Sequence, residues 1–178
     1  MRRILFVTII ISLTLFSCKK SDVADNNSNS GSNNNNNNNS SSGDVVYNVN
    51  KATLLQLVND VRTKGCTCGT TVMPPVGTVV WNDQLGKAAY DHSVDMYTNN
   101  YFSHTGQNGS DPGQRITAAG YMWTAYGENI ASGYTNEQAV MNGWLGSEGH
   151  CKNIMGANYK DMGVGRDGNL WTQEFGSK

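Results

Sequence analysis

Apolar positions recur every three to four residues in some stretches of this chain and alternate in others. Leu54, Leu57, Val58 and Val61 share one face of a helix predicted over residues 51–64, with Asn50 as its cap and Gly65 just past its end. Leu85, Ala88, Ala89, His92 and Met96 form the stripe of a second helix, capped by Asn82 or Asp83 and running to about Tyr97. His92 lies on that apolar stripe and is read as a structural imidazole. Asp111-Pro112 opens a short third helix, with Asp as cap and Pro at the first position, that ends by Gly120. Thr135-Asn136-Glu137-Gln138 reads as a capping box. The helix it opens carries Ala139, Val140, Trp144 and Leu145 and is weakened at Gly143 and Gly146. Residues 162–166 and 170–175 read as strands around Asp167-Gly168-Asn169, a hairpin signal, and residues 128–131 are expected in the same sheet. Val79-Val80-Trp81 is a short apolar approach to the second helix, and a loop with Cys66, Cys68, Pro74 and Pro75 precedes it. Helices interleaved with antiparallel strands predict an α+β layered domain. No internal repeat is present.

The N-terminal pattern differs. Arg2 and Arg3 precede an apolar run over residues 4–16, too short to span a bilayer and placed as in a secretory signal. Leu15-Phe16-Ser17-Cys18 resembles a bacterial lipobox, which makes Cys18 the expected lipidated first residue of the mature chain; ordinary cleavage near Ser17 is the alternative. Residues 19–44 are almost wholly polar, with asparagine at every position from 33 to 39. Such a segment cannot bury enough apolar area to offset its ordering entropy, so a disordered tether is expected, reaching about 30 Å as a flexible coil. The chain thus divides into a signal (1–17), a lipidated cysteine and tether (18–44) and one domain (45–178). Of 178 residues, 13 are Lys or Arg and 14 Asp or Glu. Loss of residues 1–17 with their two arginines leaves 11 against 14. No basic excess points to nucleic acid.

Cys66, Cys68 and Cys151 remain, an odd number for an oxidising compartment. Cys66 and Cys68 are too close in sequence to pair easily. A long-range bridge from one of them to Cys151 is expected, with the third thiol outside it. Zinc held by Cys66, Cys68, Cys151 and His150 is the rival reading.

Three segments carry the candidate chemistry: Phe102-Ser103-His104-Thr105, Gly127-Glu128-Asn129-Ile130, and residues 144–154 with Ser147, Glu148 and His150. Each sets one imidazole or carboxylate among small and aromatic residues, and two of the chain's three histidines lie here. In order and spacing the set resembles the CAP superfamily, or SCP-like extracellular domain, in its bacterial form, over roughly residues 50–176. The resemblance implies a three-layer α-β-α sandwich with a central, mainly antiparallel sheet. It also implies one cleft lined by His104, Glu128 and His150, with Ser147 where eukaryotic members carry a second glutamate. Two imidazoles and a carboxylate suit a divalent cation, zinc or another, held by His104, His150 and Glu128. The same groups suit acid–base work near neutral pH. Glu148 is read as facing solvent, Ser103 as a turn hydroxyl, Arg115 as an ion-pair partner, and Asn129 and Asn153 as satisfying buried backbone groups.

The reading that follows is an exported lipoprotein of the bacterial cell envelope, held at the outer membrane or cell surface through its lipid. Its cleft binds a small-molecule, glycan or protein ligand, with a divalent metal as an optional component. A hydrolase acting on peptide or cell-wall material is the alternative, and an interaction module without cleft chemistry is a third.

Overall fold

The computed structural model describes residues 45–178; the signal, Cys18 and tether assignments lie outside them. The described chain opens with two-residue strands β1 (Val45–Val46) and β2 (Val49–Asn50), which pair antiparallel. Helix α1 (Lys51–Lys64) starts where Asn50 accepts the Thr53 N–H at 2.9 Å. It stops at Gly65, whose φ of 73° only glycine adopts freely. The segment expected to be a loop is instead a hairpin of β3 (Cys66–Cys68) and β4 (Thr71–Met73). Three-residue strands are too short to show a period against neighbouring prolines. β5 (Val80–Trp81) leads into α2 (Asp83–Thr98), capped by Asn82. α3 (Pro112–Ala118) has a complete capping box from Asp111 and Gln114.

After β6 (Ala125–Ser132), one expectation needs correction. The cap of α4 (Glu137–Leu145) is Asn136, not Thr135: its side chain accepts the Ala139 N–H at 2.8 Å. Asparagine caps at least as well as threonine, so the start shifts by one residue. The helix then breaks at Gly146, and Glu148 and His150 lie on a separate helix, α5 (Glu148–Ile154), with Ser147 at its N-cap. β7 (Asp161–Asp167) and β8 (Leu170–Ser177) close the chain as the expected hairpin, turning at Gly168 with φ 54°.

The four-stranded sheet has the order β5-β7-β8-β6, antiparallel except for the short β5·β7 pair. Its alternation sorts the helices into two layers. Met162 and Val164 of β7 and Trp171 and Phe175 of β8 pack with Leu54 and Val58 of α1, Val140 and Trp144 of α4, and Ile154 of α5. On the other face Gly163 and Gly165 let α2 sit against the strand. A Cβ on Gly163 would lie 2.0 Å from the Gly86 nitrogen, and one on Gly165 2.2 Å from the Tyr90 Cα. α3 joins that layer through Leu85, Ala88, Ile116 and Tyr121. The result is the α-β-α sandwich.

Arg62 continues the Leu54–Val58 stripe one turn further and is fully buried. Its guanidinium donates to the carbonyls of Gly77, Ile154, Gly156 and Tyr159, so it ties the end of α1 to the end of α5. Burial lowers its pKa.

Candidate functional site

The site straddles β6, one of the two edge strands of the sheet. Adjacent residues on a strand point to opposite faces. Glu128 therefore enters the α2/α3 side, while Asn129 enters the α5 side. The Asn129 amide donates to the His150 carbonyl at 3.2 Å and to Gln173 Oε1 at 2.9 Å. Asn153 of α5 donates to the Glu128 carbonyl at 3.0 Å and to Asn129 Oδ1 at 2.9 Å. These bonds fasten α5 along the strand's open edge, as expected of the two asparagines.

On the other side, the loop after α2 brings His104 to Glu128. His92, buried as expected, bonds the Ser103 carbonyl through Nε2 at 2.9 Å, and the Ser103 hydroxyl accepts the Thr105 N–H at 3.0 Å. The loop so held places His104 Nδ1 2.6 Å from Glu128 Oε1. Arg115 of α3 reaches the other oxygen, Nη2 to Oε2, at 2.5 Å, and donates through Nη1 to the Ser110 carbonyl at 2.9 Å. The His104 side chain is 54% exposed and that of Glu128 2%. The pair thus has an open ring over a closed carboxylate.

Sequence reasoning missed Glu174. It stands directly opposite Glu128 in the β6·β8 register and is fully buried. Two facing carboxylates cannot both ionise cheaply in such a place. Burial and the Glu128 charge push Glu174 well above the usual carboxylate range. Burial alone would raise Glu128 as well, but the hydrogen bond from His104 and the Arg115 charge outweigh it and leave its pKa lowered. Of the two carboxyls, Glu128 is the one held low and Glu174 the one pushed high. Knowledge of the strand register would have exposed the pair; the alternation in residues 170–175 alone did not.

The bond to Glu128 raises the His104 pKa against the opposing effect of burial. His150, half-buried on α5, is lowered by burial and then by the charge of His104, so the two rings lie within electrostatic reach. Ser147 is half-buried and its side chain makes no capping bond. Glu148 is solvent-facing as expected: it pairs with Lys152 at 2.6 Å and accepts from the Thr71 hydroxyl at 3.4 Å. Arg115 is an ion-pair partner, as expected, and its partner is Glu128.

This arrangement narrows how a divalent cation fits. Both Glu128 oxygens are engaged, and the guanidinium beside it already supplies positive charge. The available donors are the two imidazoles, with Glu128 as the carboxylate that orients the His104 ring from behind. Among the described residues, the group of three ligand-type side chains whose donor atoms all lie within 4.8 Å of one another is Cys66, Cys68 and Cys151, not the cleft set. Within that group Cys68 and Cys151 form a disulfide, with Cα atoms 5.5 Å apart and a sequence separation of 83. It pins α5, and with it His150, to β3.

No helix among the described residues is long and apolar enough to cross a membrane. The chain is 32% identical over 130 residues to the uncharacterized membrane protein YlbC of Bacillus subtilis, covering 73% of this chain and 35% of that protein. It is 38% identical over 96 residues to the uncharacterized protein YkwD of the same organism, covering 53% and 37%. The match thus spans little more than a third of each of these relatives. Among solved structures, an extracellular SCP-domain protein from Bacillus anthracis superposes with a TM-score of 0.64 at 31% identity, over 72% of this chain and 40% of that one. An outer surface protein of Borrelia burgdorferi shares the fold with a TM-score of 0.60 at 22% identity, over 71% and 91%. Residues 55–174 match the family model described as CAP, cysteine-rich secretory protein family, and the chain belongs to that family.

Proposed function

We propose that this chain is an exported, lipid-anchored CAP-domain protein whose cleft at the β6 edge binds an envelope ligand or partner. His104 is the contact group and His150 and Ser147 form the opposite wall. The observation that carries this reading is the asymmetry of the His104–Glu128 pair. A buried carboxylate fixes one nitrogen of a ring that is itself more than half exposed. A pair with a purely structural task has no need of an open ring. Glu128 sets the tautomer by accepting from Nδ1, so Nε2 presents a lone pair. A divalent cation bound there would supply a Lewis acid or a bridge to an anionic ligand group. His104 and His150 would hold it, and Ser147 contributes a hydroxyl but no charge.

No observation favours a serine nucleophile: the Ser103 hydroxyl is engaged by the Thr105 backbone rather than by a ring nitrogen. The lipid anchor rests on the sequence of residues 1–18, and the extracellular SCP-domain relative from Bacillus anthracis is consistent with export.

The test is a titration of the ring resonances of His104 and His150 with zinc and, separately, with soluble cell-wall glycan fragments. A response at His104 that disappears in His104→Ala is expected with at least one probe. Rings that ignore both probes, in protein whose fold is intact, would remove the binding reading and leave the interaction module.

A further inference from the structure

We propose that the groove between the C-terminal end of α2 and the β7–β8 turn is a second binding site, which takes a neutral sugar ring of a glycan. The groove has a volume of about 650 Å³, within the range of small-molecule sites, and no described residue that lines it carries a charge. Its buried lining includes Met96 and Leu170, members of a small core cluster with Ile130. Its exposed lining has two kinds of group. Tyr97 and Phe102 are aromatic and 54% and 52% exposed. Asn100, Ser132 and Asn169 are polar and exposed, and their side chains make no hydrogen bond to any described residue. None of His104, Glu128, Ser147 and His150 lines the groove, although Phe102 and His104 share a loop. The inference thus goes beyond the cleft and stands whether or not His104 binds a ligand.

The fold holds these groups in place. The Tyr101 N–H donates to the Met96 carbonyl at 3.0 Å and the Asn100 N–H to the Tyr97 carbonyl at 3.3 Å, which turns the chain sharply after α2. Asn100 has φ 53° there, a left-handed conformation that asparagine adopts more readily than most residues. The Gly133 N–H donates to the Asn169 carbonyl at 3.0 Å and joins the end of β6 to the β7–β8 turn. Gly168 lets the Tyr97 ring lie against that turn, since a Cβ there would be 2.3 Å from the ring. A site ordered before binding loses less conformational freedom when it is filled. The chemistry of the lining then narrows the occupant. A phosphate or carboxylate would meet no opposite charge in the groove. An alkyl chain would strip water from two carboxamides and a hydroxyl and return no bond. A sugar ring meets both kinds of group. Its C–H bonds suit the negatively polarised faces of Tyr97 and Phe102, and its hydroxyls suit the carboxamides, each with two N–H donors and an acceptor oxygen.

The test is an NMR titration of the full chain with the chitin trimer of N-acetylglucosamine. Saturable shifts are expected at the ring signals of Tyr97 and Phe102 and at the side-chain amides of Asn100 and Asn169. Phe102→Ala should weaken binding about tenfold. Asn100→Gly keeps the left-handed backbone and removes only the carboxamide, and it should weaken binding about fivefold. Shifts confined to the His104 and His150 rings would put the sugar in the cleft, overturning the groove site while supporting the cleft reading. Silence at Tyr97, Phe102 and both amides at about 10 mM trimer overturns the groove site and leaves the zinc titration of the cleft unaffected. A neutral tetrapeptide that shifts Tyr97 and Phe102 at lower concentration than the trimer overturns the choice of ligand. If a variant fails to fold, the shift map of the parent decides the matter by itself.

Discussion

His104 and His150 carry the same ring in opposite settings. A carboxylate bonded to His104 stabilises the imidazolium, whereas His150 gains burial and a neighbouring positive charge but no acid. The His104 pKa is raised, so its contribution to stability is complete below the unfolded value of about 6.5 and is lost as pH rises through the folded value. The His150 pKa is lowered, so its contribution is present above about 6.5 and is lost as pH falls through the folded value. NMR titration of the two rings should give midpoints on opposite sides of about 6.5. Glu128→Gln should bring the His104 midpoint down while moving that of His150 much less; a common midpoint in the parent would contradict this electrostatic account. Protons then compete with zinc at His104 at a higher pH than for an ordinary histidine, so metal affinity should begin to fall before free imidazole would protonate. Arg62 gives a second test at this scale. Its head group satisfies four buried or part-buried carbonyls, and bonds to a charged donor are each worth about 1.5–3 kcal/mol. Arg62→Ala should therefore cost about 3 kcal/mol or more in urea unfolding, while Arg62→Lys recovers part of the loss.

At the scale of elements, legibility followed the length and strength of the local signal. α1 and α3 were readable to their caps because Asn50 and Asp111-Pro112 mark a single start. At α4 the capping-box pattern placed the start at Thr135, whereas the neighbouring Asn136 is the cap in the fold. The break at Gly146 and the separate α5 were not readable, because a seven-residue helix leaves too few turns for a period to emerge. The three cleft motifs were legible as a resemblance, and Arg115 as an ion-pair partner without a named acceptor. Glu174 was hidden, since its meaning depends on standing opposite Glu128 across a strand register that local pattern does not fix. Arg62 was hidden for a related reason: a charged residue in phase with Leu54 and Val58 reads as the end of the stripe unless the carbonyls that meet it are known. Glycine held information that only packing reveals. Gly163 and Gly165 form a smooth track for α2, and Gly163→Ala would drive a Cβ into the Gly86 backbone. Overpacking against backbone has no rotamer to relieve it, so a loss of about 3 kcal/mol is expected. It should appear as a lower urea midpoint with an unchanged slope.

The whole molecule joins a folded domain to a segment of opposite composition. The buried apolar residues run from Val49 to Phe175 and come from every layer of the sandwich, so the domain closes its core within its own span. The Cys68–Cys151 bridge and the Arg62 contacts add ties between α1, β3 and α5, all inside the same span. Residues 19–44 contain almost nothing that such a core takes in: they are mostly asparagine and serine, with Val23 and Ala24 as their apolar positions. On that composition stability is expected to be a property of the domain alone. Deletion of residues 19–44 should leave Tm and the urea midpoint within error of the full chain. The same deletion should shorten the reach of the cleft by up to about 30 Å, the coil dimension of the lost segment. If the protein is lipid-anchored, mass spectrometry of the membrane fraction will find acylated Cys18 in both forms. The cleft of the shortened form will then be less accessible to a bulky cell-wall fragment at the membrane, while binding it equally well after detergent release. A fall of many degrees in Tm on deletion would show instead that the segment packs on the domain, and the separation of anchor from binding site would have to be abandoned.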